Sequence, residues 1–138
     1  MGSYENILDI IPQRDPIVML DRLIEVDENS ATSTFLIKNS NVFFADGALQ
    51  EPGIIENIAQ TAAAMTGYAA KVNNQEVKLG FIGAIKNLKI HKLPPEQSTV
   101  NTTVSIQNIV MNITIVNGIV KIGEEIVAEC EMRIFIEE

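Results

Sequence analysis

Phe43-Phe44-Ala45-Asp46-Gly47-Ala48-Leu49-Gln50-Glu51-Pro52-Gly53-Ile54-Ile55-Glu56-Asn57-Ile58-Ala59-Gln60 is the stretch on which the reading of this chain turns. Its first half reads as a loop, and Asp46-Gly47 favours a tight turn there. Its second half starts a helix, with Pro52 suited to a first helical turn, where a backbone N–H has no intrahelical partner. The helix is expected over about 53–72, with Asn73 and Asn74 as stop signals. Ala59, Ala62, Ala63, Ala64, Gly67, Ala69 and Ala70 make this helix rich in small residues and poor in polar surface. Such a helix is wrapped by its surroundings, and its small side chains let other backbones come close. Glu56 stands out against that background, because a buried ionisable group is costly unless it is paired or working.

Working outward, the flanks are rich in strand signals. Two apolar segments near 18–27 and 31–38 are joined by Asp27-Glu28-Asn29-Ser30, whose residues favour turns. After the helix, residues 78–91, 98–110, 111–120 and 125–136 alternate or run apolar, with Val, Ile and Thr abundant. Asn117-Gly118 and the segment Val120 to Glu125 compete as the last hairpin turn, and Pro94-Pro95 breaks the sheet. Tyr4, Ile7, Leu8 and Ile11 have helical spacing, which predicts a short helix over 4–11 stopped at Pro12. The resulting order is β-β-α-β-β-β-β. A curved antiparallel sheet wrapped around one long central helix satisfies it, an α+β arrangement known as the hotdog fold. One domain spanning 1–138 is expected, at least dimeric, because a single curved sheet has open edges.

Composition limits the partners. The chain has 138 residues, 46% apolar and 20% charged, as in ordinary globular proteins. A net charge of −8 argues against nucleic acid or an anionic membrane as partner. No apolar run reaches the length of a membrane span, and the N-terminus lacks the pattern of a signal peptide. A lone cysteine, Cys130, fits a reducing compartment, so a cytoplasmic location is expected. Cys130 itself reads as a small core residue in the last strand. With a single histidine, His91, and no Cys/His cluster, no metal site is expected, and no cofactor. One local exception to the acidity is Lys86, Lys89, His91 and Lys92, within seven residues. It is either a solvated surface or a docking point for an acidic partner.

Two blocks carry a resemblance. Ile11-Pro12-Gln13-Arg14-Asp15-Pro16-Ile17-Val18-Met19-Leu20-Asp21-Arg22-Leu23 is similar to a Pro-x-Arg-x-Pro signature followed by apolar residues and Asp-Arg. Pro52-Gly53-Ile54-Ile55-Glu56-Asn57-Ile58-Ala59-Gln60 is similar to a Pro-Gly, apolar, Glu-x-x-Ala-Gln helix start. In this order and separation they resemble the β-hydroxyacyl-acyl-carrier-protein dehydratases of fatty-acid synthesis. That family carries a Gly-His-Phe-Pro-Gly type loop whose histidine acts on the substrate's α-proton. Here Phe44-Ala45-Asp46-Gly47-Ala48-Leu49 holds no histidine, and the N-terminal signature has Gln13 where the family's usual histidine stands. This loop resembles a divergent branch found with aryl-polyene and related pigment pathways.

Dehydrating a 3-hydroxyacyl thioester needs a base for the α-proton and an acid for the departing hydroxyl, on either side of a short piece of substrate. The resemblance makes Glu56 the acid. Without it, Glu56 reads rather as a first-turn carboxylate favoured by the helix dipole. Gln60 lies one turn on, on the same face, where it would fix Glu56 or a water. Asp46 is the titratable side chain of the altered loop, a candidate base or merely part of a turn. Gly53, Ile54 and Phe44 are the candidate substrate-binding residues, with N–H groups near Gly53 available to polarise a thioester carbonyl. Lys86, Lys89 and Lys92 are the candidate partner-docking residues.

Four functions are compatible with this set. The first is a dehydratase acting on acyl chains carried by acyl carrier protein or CoA. The second is a subunit completing a site with a related, histidine-bearing dehydratase, as a heterodimer rather than a homodimer. The third is a hotdog thioesterase, which needs no histidine, and the fourth a non-catalytic acyl-binding subunit. Whether the chain is an enzyme by itself stays open at this level.

Overall fold

A computed structural model describes residues 2–137. In chain order it contains strand β1 (Gly2–Tyr4), a 3-10 turn at Ile7–Asp9, and strands β2 (Arg22–Val26) and β3 (Ser30–Leu36). A two-residue hairpin, β4 (Phe44–Ala45) and β5 (Ala48–Leu49), leads into helix α1 (Glu51–Val72). Four long strands follow: β6 (Gly80–Ile90), β7 (Thr99–Val110), β8 (Ile113–Ile122) and β9 (Glu125–Ile136). Seven strands form one antiparallel sheet in the order β1-β2-β3-β7-β8-β9-β6, and α1 lies against it. This is the hotdog arrangement.

The small residues of α1 do what their size allows. A Cβ on Gly67 would run into the backbone carbonyl of Ile10, so the N-terminal segment rests directly on the helix. A Cβ on Gly118 would come within 2.6 Å of Ile58 Cγ2, so β8 presses equally close. Between these contacts lies the core, including Ile10, Met19, Leu23, Leu49, Ile54, Ile58, Val104 and Met132. Buried polar groups stitch the helix to its neighbours. Asn57 Nδ2 donates to Met19 O at 2.8 Å, and Thr102 Oγ1 donates to Asn57 Oδ1. Ser33 and Thr61 hydroxyls lie 2.7 Å apart.

Two local expectations are corrected, and the choice between two hairpin turns is decided. Residues 4–11 form the end of β1 and a single 3-10 turn rather than a helix. Eight residues are too few to offset helix nucleation, and Ile7, Ile10 and Ile11 are instead buried in the core as an irregular segment. Asn117-Gly118 is not a turn but the middle of β8, opposite Glu131 and Cys130. The last hairpin turns at Gly123-Glu124, where Gly123 takes φ +58°. Strand β2 also starts later than expected, because Met19 gives its backbone N–H and C=O to Gln60 and Asn57 of α1.

Candidate active site

Glu56 sits in the second turn of α1, half-buried, on a flank of the helix that borders a cavity. Alongside it on that flank are Ala59, Ala63 and Thr66, and together they wall a cavity of about 220 Å³. The opposite wall comes from the inward faces of β8 and β9 (Thr114, Val116, Ile134, Ile136) and the start of β6 (Gly80, Phe81, Ile82). Gln13, from the loop after the 3-10 turn, and Lys78, just before β6, add polar groups. The cavity is smaller than the roughly 300–1,000 Å³ of complete small-molecule sites. One of its walls, β6, is an edge strand with no further strand beyond it among the described residues.

The carboxylate is held in place from below. Gln60 is fully buried, and its Nε2 donates to Glu56 Oε2 at 2.8 Å and to Ile17 O at 2.9 Å. Gln60 Oε1 accepts from Met19 N–H at 2.7 Å. One side chain thus ties the carboxylate to the N-terminal loop and leaves Glu56 Oε1 without a protein partner among the described residues. Gln60 is buried behind Glu56 and does not line the cavity. The i,i+4 spacing noted in the sequence is what makes this bond possible.

The hairpin residues lie elsewhere. Asp46 and Gly47 take φ 51° and 83°, the two positive values of a type I′ turn, and Asp46 points into solvent. Gly53 packs against Leu49 and Phe43, and its N–H donates to Gln50 O at 3.0 Å, so it is not free. Ile54 is in the core, and half-buried Phe44 packs on it. None of Asp46, Phe44, Gly53 and Ile54 lines the cavity. Sequence reasoning missed Thr66, Lys78 and the strand residues of the cavity, because no local pattern marks a position that only sheet curvature brings inward. Gln13 carried a signal, since it departs from the usual residue of its signature.

Lys86 and Lys89 stand in register opposite Glu131 and Glu129 of β9, and Lys92 Nζ lies 3.7 Å from Glu125 Oε1. His91 Nε2 lies 3.2 Å from Glu129 Oε2. These acids alternate with buried Ala128, Cys130 and Met132, so the basic island is on the sheet face turned away from α1. The only histidine of the chain is therefore remote from Glu56. Cys130 is buried among apolar groups, and that burial pushes its thiol up to about 11. Among the described residues no group of His, Cys, Asp and Glu is arranged to hold a metal ion. None of the described helices is long and apolar enough to cross a membrane.

Comparison with known proteins agrees with the hotdog fold. A family model described as ApeP dehydratase, ApeP-like, matches residues 5–138. The chain is 29% identical over 139 residues to the 3-hydroxyacyl-acyl-carrier-protein dehydratase FabZ of Caldanaerobacter subterraneus subsp. tengcongensis, covering 97% of each protein. It is 30% identical over 142 residues to the FabZ of Clostridium kluyveri, covering 97% of this chain and 95% of that one. Among solved structures, the dehydratase heterocomplex ApeI:P from Xenorhabdus doucetiae superposes with a TM-score of 0.89 at 15% identity, covering 96% of this chain and 91% of that one. The chain belongs to the ApeP-like dehydratase family.

Proposed function

We propose that this ApeP-like chain, a single domain working in the cytoplasm, is the acid-bearing half of a dehydratase for 3-hydroxyacyl groups on acyl carrier protein. A related, histidine-bearing subunit supplies the base. The observation that carries this reading is the split of the machinery. A carboxylate fixed by Gln60 faces an undersized cavity beside a free sheet edge, while the one histidine lies on the other face of the sheet. Exposed Phe81, Ile82, Ile85 and Leu88 along β6 support that edge as the seat of the second subunit. The solved ApeI:P heterocomplex supports a mixed assembly in this family.

In the reaction, the partner's imidazole takes the α-proton of the acyl chain, and the C–H electron pair forms the double bond to the β-carbon. The β-carbon–oxygen bond breaks as Glu56 gives its proton to the departing oxygen, which leaves as water. Glu56 ends as carboxylate and the imidazole as imidazolium, and proton return restores both. Gln60 holds one carboxylate oxygen so that the other faces the substrate. Carrier docking at Lys86, Lys89 and Lys92 belongs to the same proposal.

The test is mass spectrometry of 3-hydroxyacyl-carrier protein incubated with this chain, with a histidine-bearing relative, and with both. Loss of water greatest in the mixture, and abolished there by Glu56→Gln, is the expected result. A mixture no faster than the relative alone overturns the shared site. Release of free acid assigns the cavity to thioester hydrolysis instead.

A further inference from the structure

The N-terminal loop that closes one side of the cavity is tied to α1 and to itself at several polar points. Ile17 O and Met19 N–H are bonded to Gln60, Met19 O to Asn57, and Arg14 Nη1 to the carbonyls of Ile11 and Gln13. The side-chain amide of Gln13 differs. Its Oε1 is buried without a hydrogen-bond partner among the described residues, although the side chain lines the same cavity as Glu56. A buried amide oxygen with no donor is destabilising, and natural proteins retain few such groups. That oxygen of Gln13 is covered in the structure and reaches a ligand by rotation about the last side-chain torsion, which for Gln is broad and two-fold.

We infer that Gln13 is a substrate-specificity residue whose amide hydrogen-bonds the 3-hydroxyl of the acyl group, beside Glu56. This rests on the reading of the cavity as the acyl site. The chemistry selects the hydroxyl. If its oxygen is to receive a proton from Glu56, a lone pair must face that carboxyl, and the hydroxyl's own hydrogen then needs an acceptor. The Gln13 carbonyl oxygen is an acceptor with nothing else to bind. Much of the rest of the wall is apolar (Ala59, Ala63, Phe81, Ile82, Ile134) and Lys78 can only donate; the Thr66 and Thr114 hydroxyls could accept too, but Gln13 Oε1 is the buried acceptor there without a partner among the described residues. A site that hydrogen-bonds a hydroxyl discriminates against the analogue lacking it, because its own polar group is then left unpaired.

Two probes test this: the pantetheine amides of 3-hydroxybutyrate and of butyrate, in which an amide replaces the labile thioester. Binding is measured to the wild-type chain in the assembly it forms, and to Gln13→Leu. Wild type is expected to prefer the hydroxylated probe about tenfold, the scale of one hydrogen bond. Gln13→Leu is expected to lose that preference, to keep its affinity for the butyryl probe, and to melt no lower than wild type. Gln13→Met, closer in length, gives the same comparison if Leu disturbs the fold. Preference retained in the variant, or equal loss for both probes, overturns the role of Gln13 alone. Wild type binding neither probe overturns the acyl-site reading and this inference with it.

Discussion

The two flanks of α1 are built on opposite principles. On the sealed flank, Asn57 and Thr61 are buried and every polar atom described there has a partner, with Ser33, Thr102 and Met19 O completing the set. Glycines at 67 and 118 bring Ile10 and β8 against the helix with no room for a methyl group. On the open flank, one oxygen of Glu56 and the amide of Gln13 are unpartnered, and the facing strand is an edge. Hydrogen-bond satisfaction marks the half of the helix that holds the fold. Its absence marks the half where we propose that a ligand and a second subunit bind.

Substitutions that strike one flank and spare the other would sharpen or break this contrast. The largest effect is expected from Glu56→Gln. It should cut dehydration in the mixed assembly by about 100–10,000-fold, the usual weight of a general acid, with an unchanged melting temperature. A parallel drop in melting temperature would move Glu56 to the structural side. On the sealed flank, Asn57→Ala strands Met19 O and Thr102 Oγ1, which should cost about 2–4 kcal/mol in urea unfolding. A loss below about 1 kcal/mol would deny that flank its role.

Smaller effects probe the edges. Phe81 is 56% exposed on β6, so Phe81→Asp should leave the unfolding free energy within about 0.5 kcal/mol of wild type. It should nonetheless weaken association with the second subunit, as read by size-exclusion chromatography of the mixture. Buried Cys130, with its thiol pushed up to about 11, should resist iodoacetamide at pH 8 in the folded protein and react once it is unfolded. Smallest of all, Lys89→Glu with Lys92→Glu should alter stability by under about 1 kcal/mol, since their pairs are exposed. If these lysines dock the carrier, the double variant weakens carrier binding and flattens its salt dependence.

Legibility followed the range of the interaction. The extent of α1, the four C-terminal strands and the Glu56–Gln60 pair were readable because they depend on spacings of two or four residues. The short helix expected at 4–11 failed because the apolar spacing there served contact with α1, not a helix of its own. Asn117-Gly118 looked like a turn because Asn-Gly favours one locally, yet Gly118 is needed where the sheet meets Ile58. Asp46 and Phe44 of the hairpin and Gly53 and Ile54 of the first turn of α1 belong to the motif segments around Glu56, yet none of them lines the cavity.

By itself, then, the sequence determined the elements, the carboxylate with its supporting amide, and the want of a histidine beside them. Those are matters of composition and local periodicity, which hold wherever tertiary contacts do not compete, as they did at residues 4–11. Only the tertiary structure decided that Gln13, more than 40 residues before Glu56, joins the same cavity. It also decided that the basic residues of β6 face the glutamates of β9. Both depend on strand register and on how the sheet curves past the helix, and register is set cooperatively by all seven strands rather than by any one of them.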